Sequence, residues 1–523
     1  MSDRPNILFI VSDQMVAALT GAYGHPVVQT PHLDRLAAEG VRFDSTYTPF
    51  PLCSPGRACM MTGRHASNIG AWDNGSLLAA DQPTFADYLS HAGYDAVLSG
   101  KMHFVGPEQQ HGFRTRLTTD IYSSDFSWVK DEWIAIKESK GADCEDVMSQ
   151  RLSYNAASYD DQCVKIDTWH NCLSYDEETH FRAIEYLRAQ GRKADKPFML
   201  CASYHHPHEP FWPPREYWDL YEGAEIEIPD FPANLDEIYS MMDRNLNAYH
   251  GTRRHNLRDA DGLYRLRRAY YALVSYMDRK VGELLQTLEQ TGLADNTVVV
   301  FCSDHGDMLC EKEMVQKRGF YEWSARVPLI ARFPGQWKAG SVCDTPVNLI
   351  DLLPTFCELA GAPAHLPHDG ESLLPIIEGQ HGDRAIFSQA HEAVGMPCIM
   401  VRQGQYKYNY IHGYDAQLFD LKKDPGEWKN LCGDPAHAAV EQQLKKLVLA
   451  NFNPDAIAAE NLASLYRRRL IAGVMQGQNR SWCHFPHYDF TRGASDQYLS
   501  LFFYSRSYEE RETSSLAHLP FFI

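Results

Sequence analysis

Basic residues are in short supply. The chain has 523 residues, with 49 lysines and arginines against 68 aspartates and glutamates, a formal charge of −19. A field of that sign repels nucleic acid and anionic membranes over most of the surface, so no nucleic-acid or membrane partner is expected. An anionic substrate would have to be drawn in by a local cluster of cations or by a metal. Long apolar runs are scarce too. The N-terminal run, Ile7 to Val11, has five residues, too few for a signal-peptide core or a membrane span, and a cytoplasmic protein is expected. The thirteen cysteines are odd in number and form no CxxC pair, which predicts reduced thiols rather than a disulfide frame or a zinc site. Low-complexity tracts and internal repeats are absent, and 44% hydrophobic with 22% charged residues is the mix of a globular protein.

What is present is a repeated strand pattern. Asn6–Asp13 reads as a strand buried on both faces, because its apolar residues are continuous rather than alternating. Ala96–Ser99, Phe198–Ser203 and Thr297–Cys302 read the same way, with helical segments between them such as Gln82–Ala92 and Leu263–Thr291. That order predicts an α/β sandwich around a large, mostly parallel sheet over residues 1–384. From 385 to 469, strand-like Cys398–Val401 and Tyr406–Tyr410 and helix-like Ala439–Asn451 predict a small α+β domain. Residues 470–523 form an aromatic, polar tail without clear periodicity, suited to packing on a surface such as a neighbouring subunit.

The four buried strands each end in polar residues. They are Asp13-Gln14, Lys101 with His103, His205-His206-Pro207-His208, and Asp304-His305. In an open α/β sheet ligands bind beyond the carboxyl ends of the strands. Asp13, Gln14, Asp304 and His305 offer three or more oxygen ligands and one imidazole, a set suited to Ca²⁺ or, given the nitrogen, Mn²⁺. Any one such pair is more often a loop or helix cap; two pairs, each at the end of a predicted strand, carry the metal reading.

Cys53 opens the segment Cys53-Ser54-Pro55-Gly56-Arg57. Pro55 suits the first turn of a helix, and that turn's positive end stabilises an anion or a thiolate. For one cysteine among thirteen, a plain structural thiol is the stronger reading of these residues taken alone. Arg57 is one turn further along the same face.

Cys53-x-Pro55-x-Arg57 followed by Thr62-Gly63-Arg64 resembles the signature of the type I sulfatases of the alkaline phosphatase superfamily. In that family the cysteine is oxidised after synthesis to formylglycine. Gly56 stands where the family usually has Ser or Ala. The family's order of an acid pair, Lys-x-His, a later His, an Asp-His or Asp-Asn and a distal Lys is matched by Asp13-Gln14, Lys101-x-His103, His206, Asp304-His305 and Lys317. Longer words, Leu98–Pro107, Leu117–Tyr122, Ser124–Trp128 and Ser303–Leu309, resemble the choline-sulfatase branch, as do Trp482 and Ala494–Tyr498. At the position before Ala494 where that branch carries an acid, the chain has Gly493.

The resemblance implies an alkaline phosphatase-like fold and a metal site of Asp13, Gln14, Asp304 and His305 with the side chain at 53. It implies that the metal, Lys101, Lys317 and the helix N-terminus hold the sulfate oxygens and that Arg57 fixes the hydrated aldehyde, with His206 protonating the leaving alcohol and His103 acting as base on the second hydroxyl. Trp128, Asn74 and Glu392 are the expected contacts to the alcohol moiety. A small sulfate ester, a formylglycine-generating enzyme and further copies of the chain, as a dimer or tetramer, are the expected partners. Aryl sulfates and phosphonate or phosphate esters fit similar cages, and a non-catalytic anion binder with an unmodified thiol is the reading of another class.

Overall fold

The computed structural model describes residues 4–142, 156–159, 163–191, 196–380, 382–476 and 482. Gly493 and Ala494–Tyr498 lie outside them. The strands are β1 (Asn6–Asp13), β2 (Val41–Phe43), β3 (Thr46–Tyr47), β4 (Asp95–Gly100), β5 (Thr115–Arg116), β6 (Phe198–Pro207), β7 (Thr297–Ser303), β8 (Leu329–Arg332), β9 (Ser341–Cys343), β10 (Val347–Asn348), β11 (Ala385–Ala390), β12 (Cys398–Gln403), β13 (Tyr406–Ile411) and β14 (Gln417–Asp420). The main helices are α1 (Pro31–Ala38), α2 (Cys53–Thr62), α3 (Phe85–His91), α4 (Asp131–Glu138), α5 (Asn171–Gln190), α6 (Ala260–Gln290), α7 (Leu352–Leu359), α8 (Ala438–Asn451) and α9 (Pro454–Gln476).

Eight strands form one sheet in the order β5-β4-β6-β1-β7-β8-β2-β9. From β5 to β7 the pairings are parallel, and β8 runs antiparallel to both its neighbours. β1 is buried along its whole length because successive side chains leave by opposite faces. Leu8 and Ile10 enter the core under α6 with Leu266 and Tyr270. Ile7, Phe9 and Val11 enter the one under α2, α3 and α7 with Met60, Phe85 and Phe356. Helices on both faces are what make a continuous apolar strand tolerable.

Local chemistry sets the ends. α3 begins at Phe85 rather than near Gln82, because Thr84 and Asp87 form a reciprocal capping box after Pro83. α1 lacks a side-chain cap of its own at Thr30. Instead Asp278 of α6 accepts from the backbone N–H groups of His32 (3.1 Å) and Leu33 (2.7 Å). α2 ends on Gly63, whose φ of 65° places it in the left-handed region.

β11 to β14 form a separate antiparallel sheet in sequential order. α8 covers it with Leu444 and Val448. Met400, Ile411 and Phe419 share a core with Tyr47, Val105 and Phe126. α9 continues through position 470 to Gln476, packing Leu465 and Ala472 into that core. Trp482 stacks edge-on against Phe126 at 5.3 Å. The eleven cysteines among the described residues are all free. No described helix is long and apolar enough to cross a membrane.

Candidate functional site

β4, β6, β1 and β7 lie side by side and run parallel, so their carboxyl ends open on one edge of the sheet. β1 delivers Asp13 and Gln14, β7 delivers Asp304 and His305, and β4 delivers Lys101 and His103. α2 brings Cys53 to the same point, and all ten of its residues are buried. Asn74 supplies the helix cap that Leu52 does not, its Oδ1 accepting from the Ser54 N–H at 3.0 Å. A Cβ at Gly56 would come 2.7 Å from the Phe50 carbonyl oxygen. The departure from Ser or Ala there matches a tight approach of backbone.

Ligand atoms of Asp13, Cys53, Asp304 and His305 all lie within 4.8 Å of one another. The His305 Nδ1 is 3.0 Å from the Gly306 carbonyl. An N–H donated there leaves the Nε2 lone pair facing Asp13 and Asp304, each at 3.7 Å, and the Cys53 sulfur at 3.2 Å. A carbonyl that fixes the imidazole through its other nitrogen in this way suits a metal ligand, so the residues fit a divalent cation. Gln14 faces elsewhere. Its side-chain oxygen accepts from Lys317, and its Nε2 donates to Glu209 (2.8 Å) and to Asp307. Only its backbone N–H reaches the cluster, 3.2 Å from Asp304 Oδ1.

Arg57 holds the acids in place. Its Nε is 2.7 Å from Asp304, one terminal nitrogen is 3.0 Å from Asp13, and the other reaches the Lys101 carbonyl (2.6 Å) and Ser203 Oγ (2.8 Å). Lys101 pairs with Asp13 and lies 4.4 Å from the centre of the Tyr122 ring. Burial would raise the Asp13 pKa, but Lys101, His208, Arg57 and His305 outweigh it and hold the carboxyl well below the usual range. Burial would likewise lower Lys101, and Asp13 reverses the sign.

The histidines are placed differently from expectation. His208, not His206, meets Lys317, with Nε2 and Nζ 2.8 Å apart. His206 is turned to Asp176, its Nδ1 2.6 Å from the carboxylate. Between Val11–Asp13 of β1 and Ser203–Pro207 of β6, two steps face four. This irregularity is what defeats counting along His-His-Pro-His. Burial first, then Lys317, lowers the His208 pKa well below its ordinary value. His103 sits between the rings of Tyr122 (4.7 Å) and Trp128 (4.9 Å), and neither of its nitrogens has a hydrogen-bond partner. Burial lowers its pKa, opposed by Cys53. Its backbone N–H is anchored by Asp120 at 2.8 Å.

The residues expected at the alcohol moiety meet at the Asn74–Gly75 turn. Trp128 is half-buried, meets Tyr122 edge-on at 5.3 Å and donates to the Ser123 carbonyl at 2.8 Å. Glu392 accepts from the Asn74 backbone N–H at 2.8 Å. It is also engaged by Arg318, which the sequence did not single out. Tyr122 was within reach in the word Leu117–Tyr122, and His208 in the His-rich strand end. Arg318 carried no signal beyond its place next to Lys317.

The chain is similar to proteins already described. Residues 5–362 match the family model described as Sulfatase, and residues 310–453 match the C-terminal model of N-sulphoglucosamine sulphohydrolase. The chain is 36% identical over 514 residues to a choline-sulfatase of Rhizobium meliloti (strain 1021), covering 95% of this chain and 96% of that one. It is 28% identical to an arylsulfatase of Clostridium perfringens (strain 13 / Type A), covering 85% and 94%. The phosphonate monoester hydrolase of Agrobacterium radiobacter shares the fold, with a TM-score of 0.65 at 24% identity over 88% of this chain and 96% of that one. With a buried cysteine heading a helix into a carboxylate and imidazole cluster, and a family match over most of its length, the chain belongs to the sulfatases, a family of sulfuric ester hydrolases.

Proposed function

We propose that the protein releases sulfate from a small alkyl sulfate, choline-O-sulfate or a near relative, after a formylglycine-generating enzyme has oxidised Cys53 to an aldehyde. One observation carries the reading: the side chain at 53 is gathered with Asp13, Asp304 and His305 and flanked by Lys101. The hydrated aldehyde supplies one hydroxyl to attack sulfur and a second whose deprotonation expels sulfate, and a bound Ca²⁺ or Mn²⁺ supplies Lewis acidity. Asp13, Asp304 and His305 would hold that ion.

The chain's own residues do the rest. Lys101 and Lys317 neutralise the sulfate oxygens, where preorganised charge is worth most in a dry site. Arg57 fixes both acids and the Lys101 carbonyl, so the cage keeps its shape as charge moves. His208 takes the place first expected of His206: the Lys317 ammonium that its Nε2 faces supplies the proton, which reaches the leaving alcohol by way of His208. His103 has unpartnered nitrogens and lies among Cys53, Tyr122 and Trp128. It is the base for the second hydroxyl. Trp128 offers its ring face to the alcohol moiety, to a quaternary ammonium by cation–π attraction or to an aryl ring by stacking.

The test is kcat/KM for choline-O-sulfate beside nitrophenyl sulfate and a phosphonate monoester, on protein whose Cys53 peptide has been shown by mass spectrometry to carry the aldehyde. Preference for the alkyl sulfate supports the reading; preference for either rival moves the assignment to the aryl or phosphonate alternative. An unmodified thiol throughout protein made beside a competent modifying enzyme overturns the catalytic reading.

A further inference from the structure

Glu392 is the acid expected to face a cationic alcohol moiety, yet it does not stand alone. Two nitrogens of Arg318, Nε at 2.9 Å and a terminal nitrogen at 2.8 Å, converge on its Oε1, while its Oε2 accepts from the Asn74 N–H at 2.8 Å. Both side chains are buried, Arg318 at 7% exposed and Glu392 at 3%. Arg318 is held from behind by Gln316 Oε1 at 2.8 Å, and its guanidinium lies 5.5 Å from the centre of the Tyr249 ring. Lys137, hydrogen-bonded to the carbonyls of His391 and Val394, adds positive potential behind the same carboxylate.

The pair is next to the chemistry. Asn74 joins Glu392 to the first turn of α2 through Ser54, Cys53 lies within electrostatic reach of Arg318, and Lys317 is its neighbour in sequence. A Cβ at Gly75 would come 3.2 Å from the Trp128 Cβ, so the base of that side chain adjoins the same turn. Arg318 is held at a φ of 85°, a conformation that a non-glycine residue keeps only when its surroundings over-determine it, most often at a functional site.

We propose that Arg318 is a specificity-determining residue: by pairing with Glu392 it cancels the negative charge that would favour a quaternary ammonium, leaving a wall that takes uncharged short alkyl sulfates about as well as cationic ones. This rests on the alkyl-sulfatase reading above and names the substrate class within it. In a low-dielectric wall, an ammonium that approaches an ion pair gains little, because attraction to one partner is offset by repulsion from the other.

The probes are choline-O-sulfate and neohexyl sulfate, in which a tert-butyl group replaces the trimethylammonium group at nearly constant shape. In the wild type their kcat/KM values are expected within about tenfold of each other. Arg318→Gln should raise the choline preference by at least about tenfold, through KM for choline-O-sulfate and not through kcat. Arg318→Lys should keep the wild-type ratio, and Glu392→Gln should lower the choline preference by leaving Arg318 unpaired. A wild-type preference for choline-O-sulfate above about a hundredfold, or an Arg318→Gln variant that loses both activities equally, overturns the proposal. Hydrolysis of nitrophenyl sulfate with neither alkyl sulfate turned over overturns the underlying reading instead. In that case inhibition by choline against neohexanol, in the wild type and the same variants, still reads the charge of the wall.

Discussion

The ammonium of Lys317 lies 2.8 Å from Nε2 of His208 and also donates to the side-chain oxygen of Gln14. One cation therefore links the strand end of β6 to that of β1. His206, two residues earlier, faces Asp176 at 2.6 Å. The two histidines make opposite forecasts. His208→Ala should cost about 10²–10⁴ in kcat, most for alkyl sulfates, whose leaving alcohols need a proton, and least for nitrophenyl sulfate. His206→Asn should lower the melting temperature while leaving the alkyl-to-aryl rate ratio as in the wild type. A leaving-group series on the two variants checks both.

Divalent metal should stabilise the fold as well as support turnover. Binding to Asp13, Asp304 and His305 at a hundredfold excess over Kd would add about 2.7 kcal/mol. After chelation the wild type should melt lower and recover with Ca²⁺ or Mn²⁺. Asp304→Asn should abolish that recovery, which calorimetry with and without added metal measures.

Asp278 should make stability fall as pH rises through the acid range. Burial raises its pKa to about 7, more than the two backbone N–H groups of α1 lower it. The folded state thus holds a proton that the unfolded chain has released, so stability drops between about pH 4 and pH 7. Asp278→Asn removes that titration. The melting temperature of the variant minus that of the wild type should increase over the same range, by an amount on the order of a few kcal/mol in stability.

Arg468 of α9 bonds Asp73 with both terminal nitrogens, at 2.6 and 2.8 Å, and both side chains are buried. Asp73 also organises the turn that carries Asn74, accepting from the Gly75 N–H at 2.9 Å. Arg468→Ala leaves a buried carboxylate unpaired and should destabilise by about 3–5 kcal/mol, with a raised KM. Asp73→Asn in that background should restore part of the stability, as denaturant titration would show.

The sheet's centre was legible because burial on both faces writes a continuous apolar run, and strands at residues 6, 96, 198 and 297 all appear within a few residues of expectation. The acids, Lys101, Cys53 and Arg57 were legible because each stands at a fixed point, a strand end or a helix start. His208 was not, because the irregular register of β6 against β1 breaks the alternation that would choose among three histidines. Arg318 was not, because its function depends on Glu392, which is 74 residues away. α9 escaped notice for a similar reason: Arg468 interrupts its apolar face with a charge that only Asp73 explains.

Cys53 is 1% exposed and sits at the head of a helix whose ten residues are all buried. An enzyme that must grip the chain around it would find that segment buried in the finished fold. Its chance would come during synthesis, after residue 53 has left the ribosome and before β6 and β7 are made, so the interval would be set by the roughly 240 residues that separate Cys53 from Thr297. At about 5–20 residues per second that is on the order of ten to fifty seconds. A slower modifying enzyme, or faster translation, would produce correctly folded protein that is permanently inert.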